Sequence, residues 1–248
     1  MSLATYAQRL GDDSLILGQR LSEWCGHAPV IEIDLSLANV ALDLIGQASH
    51  FLGLAGAIEG KGRDADALAF RRDVMDFTNC LLVEQPNGDF AQTIARQFLF
   101  SHYQVLFLER LAAVRDERFA AIAAKALKEV SYHATLASDW VVRLGDGTDE
   151  SKARMIAGLD WMWRFADELF VMDDIDAAAI AAGVGVDKAA LRPAWDQRID
   201  AVLADAGLAR PAPRRATLGG RTGRHSEHLG HLLSEMQFLQ RAYPGAAW

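Results

Sequence analysis

Seven histidines and 33 acidic side chains are the groups from which this 248-residue sequence could build a metal centre or an acid–base site. A di-iron carboxylate centre in a helical bundle takes one Glu from each of two helices and a Glu-x-x-His pair from each of the other two. The i,i+3 spacing sets carboxylate and imidazole one turn apart on the same inward face. The residues three before His27, His50, His102, His133, His225, His228 and His231 are Trp24, Gln47, Leu99, Val130, Thr222, His225 and His228. None is acidic, so the sequence has no Glu-x-x-His. What remains is Asp43, on a polar stripe with Ser36, Asn39, Gln47 and His50, and Glu129 with His133. As a metal site these three fall short of the usual six ligands. They read more simply as a solvated stripe or a hydrogen-bonded network, since a buried charge without a metal needs a partner.

Other reactive groups lead no further. His225, His228 and His231 look like a ligand cluster, but on a helix His225 and His231 lie about 120° apart. A surface or interface cluster is the simpler reading. Arg214, Arg215, Arg221 and Arg224 surround Gly219-Gly220 ahead of the last helix, where basic groups and a helix N-terminus can hold an anion or an acidic partner. The alternative is a solvated loop. Neither a GxxxxGK[ST] nor a GxGxxG motif is present, and GxSxG is absent. Cys25 and His27, two residues apart at a helix end, point away from each other. The two cysteines, Cys25 and Cys80, fit neither a disulfide framework nor zinc spacing. Trp161, Trp163 and Phe165 read as core and interface aromatics. No catalytic residue and no metal ligand is assigned.

The elements that must position these groups are helices. Apolar residues recur at helical spacing almost throughout, and no segment alternates like a strand between hairpin turns. Leu3, Leu10, Leu17 and Trp24 share one stripe of a first helix that stops at Cys25-Gly26-His27-Ala28-Pro29. Further helices are expected over about 34–58, 65–73, 90–114, 117–144, 149–171, 173–182, 187–206 and 225–243. Asp89 with Gln92 forms a capping pair for the helix from Phe90. Val83–Asp89 reads as a turn and Gly207–Arg224 as a loop. The reading is one all-α domain over residues 1–248, a bundle of four long helices with additional C-terminal helices.

Composition agrees with a folded globular chain, at 51% hydrophobic and 23% charged. A net charge of −8 argues against nucleic acid or an anionic membrane surface as partner. There is no basic-then-apolar leader and no apolar run of 18 residues, so a cytoplasmic protein without a membrane span is expected.

Several runs together resemble a known family. They are Arg9-Leu10-Gly11-Asp12-Asp13, Leu21-Ser22-Glu23-Trp24-Cys25-Gly26-His27-Ala28-Pro29, Glu32-Ile33-Asp34-Leu35 with Ala38-Asn39, and Leu42-Asp43-Leu44-Ile45-Gly46-Gln47-Ala48. Leu81-Leu82-Val83-Glu84-Gln85-Pro86-Asn87-Gly88-Asp89-Phe90, Lys128-Glu129 with Tyr132-His133, His225-Ser226-Glu227-His228-Leu229-Gly230, Glu235-Met236-Gln237 and Pro244-Gly245 through Trp248 extend it from end to end. The chain is similar to the PaaC family, the C subunit of the phenylacetyl-CoA epoxidase complex. The resemblance implies a ferritin-like all-α fold. It also implies the role of a non-catalytic structural subunit in aerobic phenylacetate catabolism, without a cofactor of its own. Its partner would be the catalytic A subunit, whose di-iron site epoxidises the ring of phenylacetyl-CoA with dioxygen. A reductase supplying electrons from NADPH and a further, small B subunit would join them in the complex. Where an active relative would carry Glu-x-x-His, this chain has Asp43-Leu44-Ile45-Gly46 and Glu129-Val130-Ser131-Tyr132, with His133 one position late. The resemblance further implies that Asp76, Phe77, Thr78, Asn79, Ala177, Ala178 and Ala179 border the CoA end of the substrate. There Thr78 and Asn79 would hydrogen-bond and Phe77 would stack on adenine. The alternative is an independent ferritin-like metalloenzyme using Asp43, Glu129 and His133, or a freestanding acyl-CoA binding protein.

Overall fold

A computed structural model describes residues 2–246 of the chain; Trp248, the last position of the tail motif, lies outside the described residues. Among the described residues there is no strand. The α-helices in chain order are α1 (Ser2–Ser22), α2 (Ile31–Glu59), α3 (Ala65–Phe70), α4 (Leu81–Glu84), α5 (Phe90–Leu111), α6 (Glu117–Gly145), α7 (Asp149–Trp163), α8 (Asp174–Ala181), α9 (Arg192–Asp205), α10 (Glu227–Met236) and α11 (Phe238–Ala242). The all-α class expected from the apolar spacing is what the chain adopts. Two compact units form, Met1–Gln85 with Gly219–Trp248, and Pro86–Leu218.

In the first unit α1 packs along α2. The pair approaches closely because α1 carries Gly11 and Gly18 at the contact. A Cβ on Gly11 would come within 2.7 Å of the Leu52 side chain, and one on Gly18 within 3.3 Å of the Ala41 carbonyl. Each glycine costs the helix about 1 kcal/mol against alanine, so the close contact is what keeps them. α2 starts three residues earlier than expected, with Glu32 and Asp34 in its first turn, where the helix dipole favours acids. Over 18 residues its mean hydropathy reaches 1.2, high enough to cross a membrane by composition, and 44% of that window is buried within the chain.

Three breaks within the first unit depart from the expected boundaries. The helix from Ala65 ends at Phe70 and a 3₁₀ turn, Val74–Asp76, follows, with Asp73 and Asp76 capping each other's backbone. The expected 225–243 helix is split at Gln237, whose side-chain amide turns inward and donates to the carbonyls of Ala69 and Arg72 at 2.9 and 3.0 Å. A short helix, α4, occupies the start of the expected 83–89 turn.

In the second unit α5 lies against α6 and α7 and is buried on nearly every face. Asp89 caps it by accepting from Gln92 N at 2.8 Å. The Gln92 side-chain amide donates to the Pro86 carbonyl at 3.0 Å. α7 stops at Trp163 rather than continuing to Val171. The Arg164 carbonyl leaves the helical ladder to accept from Thr217 N at 2.8 Å, and Ala166–Phe170 continues as a 3₁₀ turn. Trp163 and Phe170 both pack on Trp195, which is fully buried and donates to the Leu99 carbonyl at 3.0 Å.

Candidate functional site

The polar chemistry of the first unit centres on two adjacent acids in α1. Asp12 and Asp13 are 0% and 4% exposed. Neighbours on a helix point about 100° apart, so each serves its own partner. Asp12 pairs with both terminal nitrogens of Arg72, a contact that includes a 3.0 Å bond from Nη1. Asp13 takes both ends of the Arg221 guanidinium at 3.0 and 2.7 Å. Bidentate guanidinium–carboxylate pairs of this kind are the strong, geometrically specific ones.

The same two carboxylates hold residues 76–80. Asp12 accepts from Thr78 N at 2.9 Å and from its hydroxyl at 3.0 Å. Asp13 accepts from Cys80 N at 2.8 Å. Arg221 donates to the Thr78 carbonyl at 3.0 Å, and Arg72 donates to the Asp76 carbonyl at 3.0 Å. Gly220 lies so close to this strip that a Cβ there would sit 2.2 Å from the Asn79 carbonyl. The Gly219-Gly220 pair therefore serves a close backbone approach rather than an anion loop.

Glu84 closes the cluster. It is fully buried and accepts from Asn79 Nδ2 at 2.9 Å, Ser226 N at 2.6 Å and His225 Nδ1 at 2.7 Å. His225 Nε2 faces the Phe77 carbonyl at 2.9 Å. A carbonyl only accepts, so Nε2 carries a hydrogen, and the Glu84 carboxylate calls for one on Nδ1 as well. Burial alone would lower the pKa of His225; the hydrogen bond to Glu84 and its charge reverse this and hold the imidazole above its ordinary 6.5. Arg20 completes the shell, donating to the Glu84 carbonyl at 3.1 and 3.0 Å and to the His228 carbonyl at 3.0 Å. The Glu84 carboxylate thus stands at the N-terminus of α10, so the anion there belongs to the chain itself.

These contacts assign the sequence candidates to different places. Phe77 is 0% exposed, with the Arg72 guanidinium 4.0 Å over its ring, so it has no free face for an adenine. Thr78 and Asn79 spend their donors on Asp12 and Glu84. Asp76 is exposed on its 3₁₀ turn. Ala177 is exposed, Ala178 half-buried and Ala179 buried, on α8. That helix is pinned by Asp176, which is buried in a 2.8 Å pair with Lys188. Asp76–Asn79 belong to the first unit and Ala177–Ala179 to the second.

Asp43 is half-buried in the first unit; in the second, Glu129 is half-buried and His133 fully buried. Among the described residues no three His, Cys, Asp or Glu side chains group as a metal shell would. The histidine trio disperses, with His225 in the Glu84 cluster, His228 half-buried and His231 exposed. The arginines disperse too. Arg221 is committed to Asp13 and Arg214 to Asp160, while Arg215 and Arg224 are exposed.

Compared with known proteins, residues 1–248 match the family model described as phenylacetic acid catabolic protein. The chain belongs to that family. It is also 50% identical over 246 residues, 99% of both chains, to the C subunit of 1,2-phenylacetyl-CoA epoxidase from Escherichia coli (strain K12). Membership in the phenylacetic acid catabolic family agrees with the ferritin-like all-α class. Asp12, Asp13, Glu84 and His225 lie inside the runs that carried the resemblance. Asp12, Asp13 and Glu84 had no role in the sequence reading, and His225, read there as part of a surface or interface cluster, is buried: Arg72, Arg221 and, for Glu84, His225 are partners far away along the chain.

Proposed function

We propose that this chain is the non-catalytic structural subunit of a 1,2-phenylacetyl-CoA epoxidase complex, supporting the di-iron catalytic subunit in aerobic phenylacetate catabolism in the cytoplasm. One observation carries the reading: 50% identity across 99% of both chains to a protein named as the C subunit of that epoxidase. The missing Glu-x-x-His pairs support a chain with no metal of its own. Under this reading residues 1–248 act as one ferritin-like domain. The chain contributes buried interface, while iron, dioxygen and the NADPH-dependent reductase act at or through the catalytic subunit. The small B subunit joins the complex.

The cluster under residues 76–80 suits such a role. It holds Asp76 at the surface by its backbone, through Arg72 and a 3.2 Å bond from Gln8 Nε2. Asp76 offers an acceptor to amide or amine N–H groups of the CoA moiety, not to its phosphates. Thr78 and Asn79 position this strip from beneath, and Phe77 anchors it. Ala177, Ala178 and Ala179 are proposed separately as contact surface on α8 for the same ligand class.

The reading is tested by anaerobic loading of the purified chain with Fe(II), followed by co-purification with a tagged, co-expressed catalytic subunit. Iron near zero per chain and a stable complex with that subunit are expected. Iron near two per chain, lost in Glu129→Ala, would replace this reading with that of an independent metalloenzyme.

A further inference from the structure

The outward face of α2 is apolar and smooth, unlike that of an ordinary solvated helix. Ile31, Leu35, Leu42, Gly46, Ser49 and Gly53 fall within about 60° of one line along the helix. Ile31, Leu35 and Leu42 are 70%, 59% and 66% exposed. Three large aliphatic side chains aligned over three turns form a patch, whereas scattered single ones need no explanation.

The two glycines make the second observation. Gly46 and Gly53 are seven residues apart, as are Gly11 and Gly18 on α1. On α1 the chain itself explains them, through the close approach of Leu52 and Ala41. On α2 a Cβ at either position would meet nothing within 4 Å, and neither residue has a positive φ. Both therefore weaken a long helix with no return inside this chain. A helix from outside, packed as closely on this face as α1 packs on the other, supplies the reason.

Charge selects the occupant. Glu32 and Asp43 flank the stripe on one side, with Asn39 and His50 between and beyond them, and the chain as a whole carries −8. A second copy would bring the same acid-bearing flank and the same net charge against itself. A non-identical partner with basic residues bordering its own contact helix has the complementary charge. We propose that the Ile31–Gly53 face of α2 is the docking surface for a helix of a non-identical, basic-flanked partner, the catalytic subunit of the complex. The proposal rests on the reading under Proposed function for the partner's identity.

The test is co-purification of this chain with the tagged catalytic subunit, comparing the wild type with Leu42→Glu and Gly46→Leu. Sedimentation and thermal melting of each variant by itself accompany it. Leu42 is exposed and Gly46 has open space around it, so both variants are expected to melt at or above the wild-type midpoint. The expected result is at least a tenfold loss of the co-purified partner for both. Should Gly46→Leu not fold, Leu42→Glu decides alone. Retention within twofold by folded variants overturns the surface assignment while leaving the epoxidase reading intact. A wild-type chain that itself fails to co-purify overturns that reading and the proposal with it. A wild-type chain that sediments as a dimer, with Leu42→Glu monomeric, assigns the face to a second copy and also overturns the proposal.

Discussion

Two buried histidines give the chain opposite responses to pH. For His102, burial lowers the pKa to about 4, with the charge of Arg198 adding to it. The Ser138 hydroxyl gives its hydrogen to the Ala134 carbonyl at 2.8 Å and accepts from His102 Nε2 at 2.9 Å. The neutral ring is therefore the folded form. Unfolding lets it take up a proton, so stability falls as pH drops from 6.5 towards 4, by up to about 3 kcal/mol. His225 works the other way. Its folded pKa is raised, so its contribution is fully present below pH 6.5 and is lost as pH rises through the folded value. Thermal midpoints measured from about pH 4.5 to 9 are expected to show both limbs. His102→Gln should shallow the acid limb and His225→Gln the alkaline one. An alkaline limb unchanged in His225→Gln would show that the imidazole is not held charged by Glu84. At the same scale, Arg72→Met leaves Asp12 buried without its cation and is expected to cost about 3–5 kcal/mol in urea unfolding. The double variant Arg72→Met with Asp12→Leu should recover much of that loss. A cost below about 1 kcal/mol for the single variant would mean that the cluster does not hold the 76–80 strip.

At the scale of elements, glycines separate contacts made inside the chain from those made outside it. Gly220→Ala would drive a Cβ into the Asn79 carbonyl, and overpacking of this kind costs about 1–3 kcal/mol or more. Gly46→Ala meets no atom and should gain up to about 1 kcal/mol from helix propensity. Denaturant midpoints that move in opposite directions would confirm the distinction; a loss at Gly46 would place a neighbour there. Helix positions were legible in the sequence because apolar spacing and the Asp89 cap are local signals. The ends at Phe70, Trp163 and Met236 were not. Two of those breaks come with hydrogen bonds that reach across the chain, Gln237 to Ala69 and Arg72, and Thr217 to Arg164. The site divides in the same way. The absence of Glu-x-x-His could be read directly. The pairing of Asp13 with Arg221, 208 residues later, leaves no local pattern to read.

For the molecule as a whole, the proposed task needs no reactive centre in this chain. Its family and its 50% identity to an epoxidase subunit point to a complex. Buried charges pair with one another around Asp12, Asp13 and Glu84 in one unit and as Asp176 with Lys188 in the other. Large polar networks of this kind fix one arrangement of segments, which is what a scaffold must offer a partner. The most direct test is reconstitution. The catalytic subunit, the small B subunit, the reductase, NADPH, dioxygen and phenylacetyl-CoA are combined with and without this chain, and epoxide formation is followed by mass spectrometry. Turnover is expected only when the chain is present, with none from the chain and the reductase alone. Full activity is expected with Glu129→Ala and His133→Gln variants that fold. Turnover by the chain in the absence of the catalytic subunit, lost in Glu129→Ala, would contradict the scaffold role.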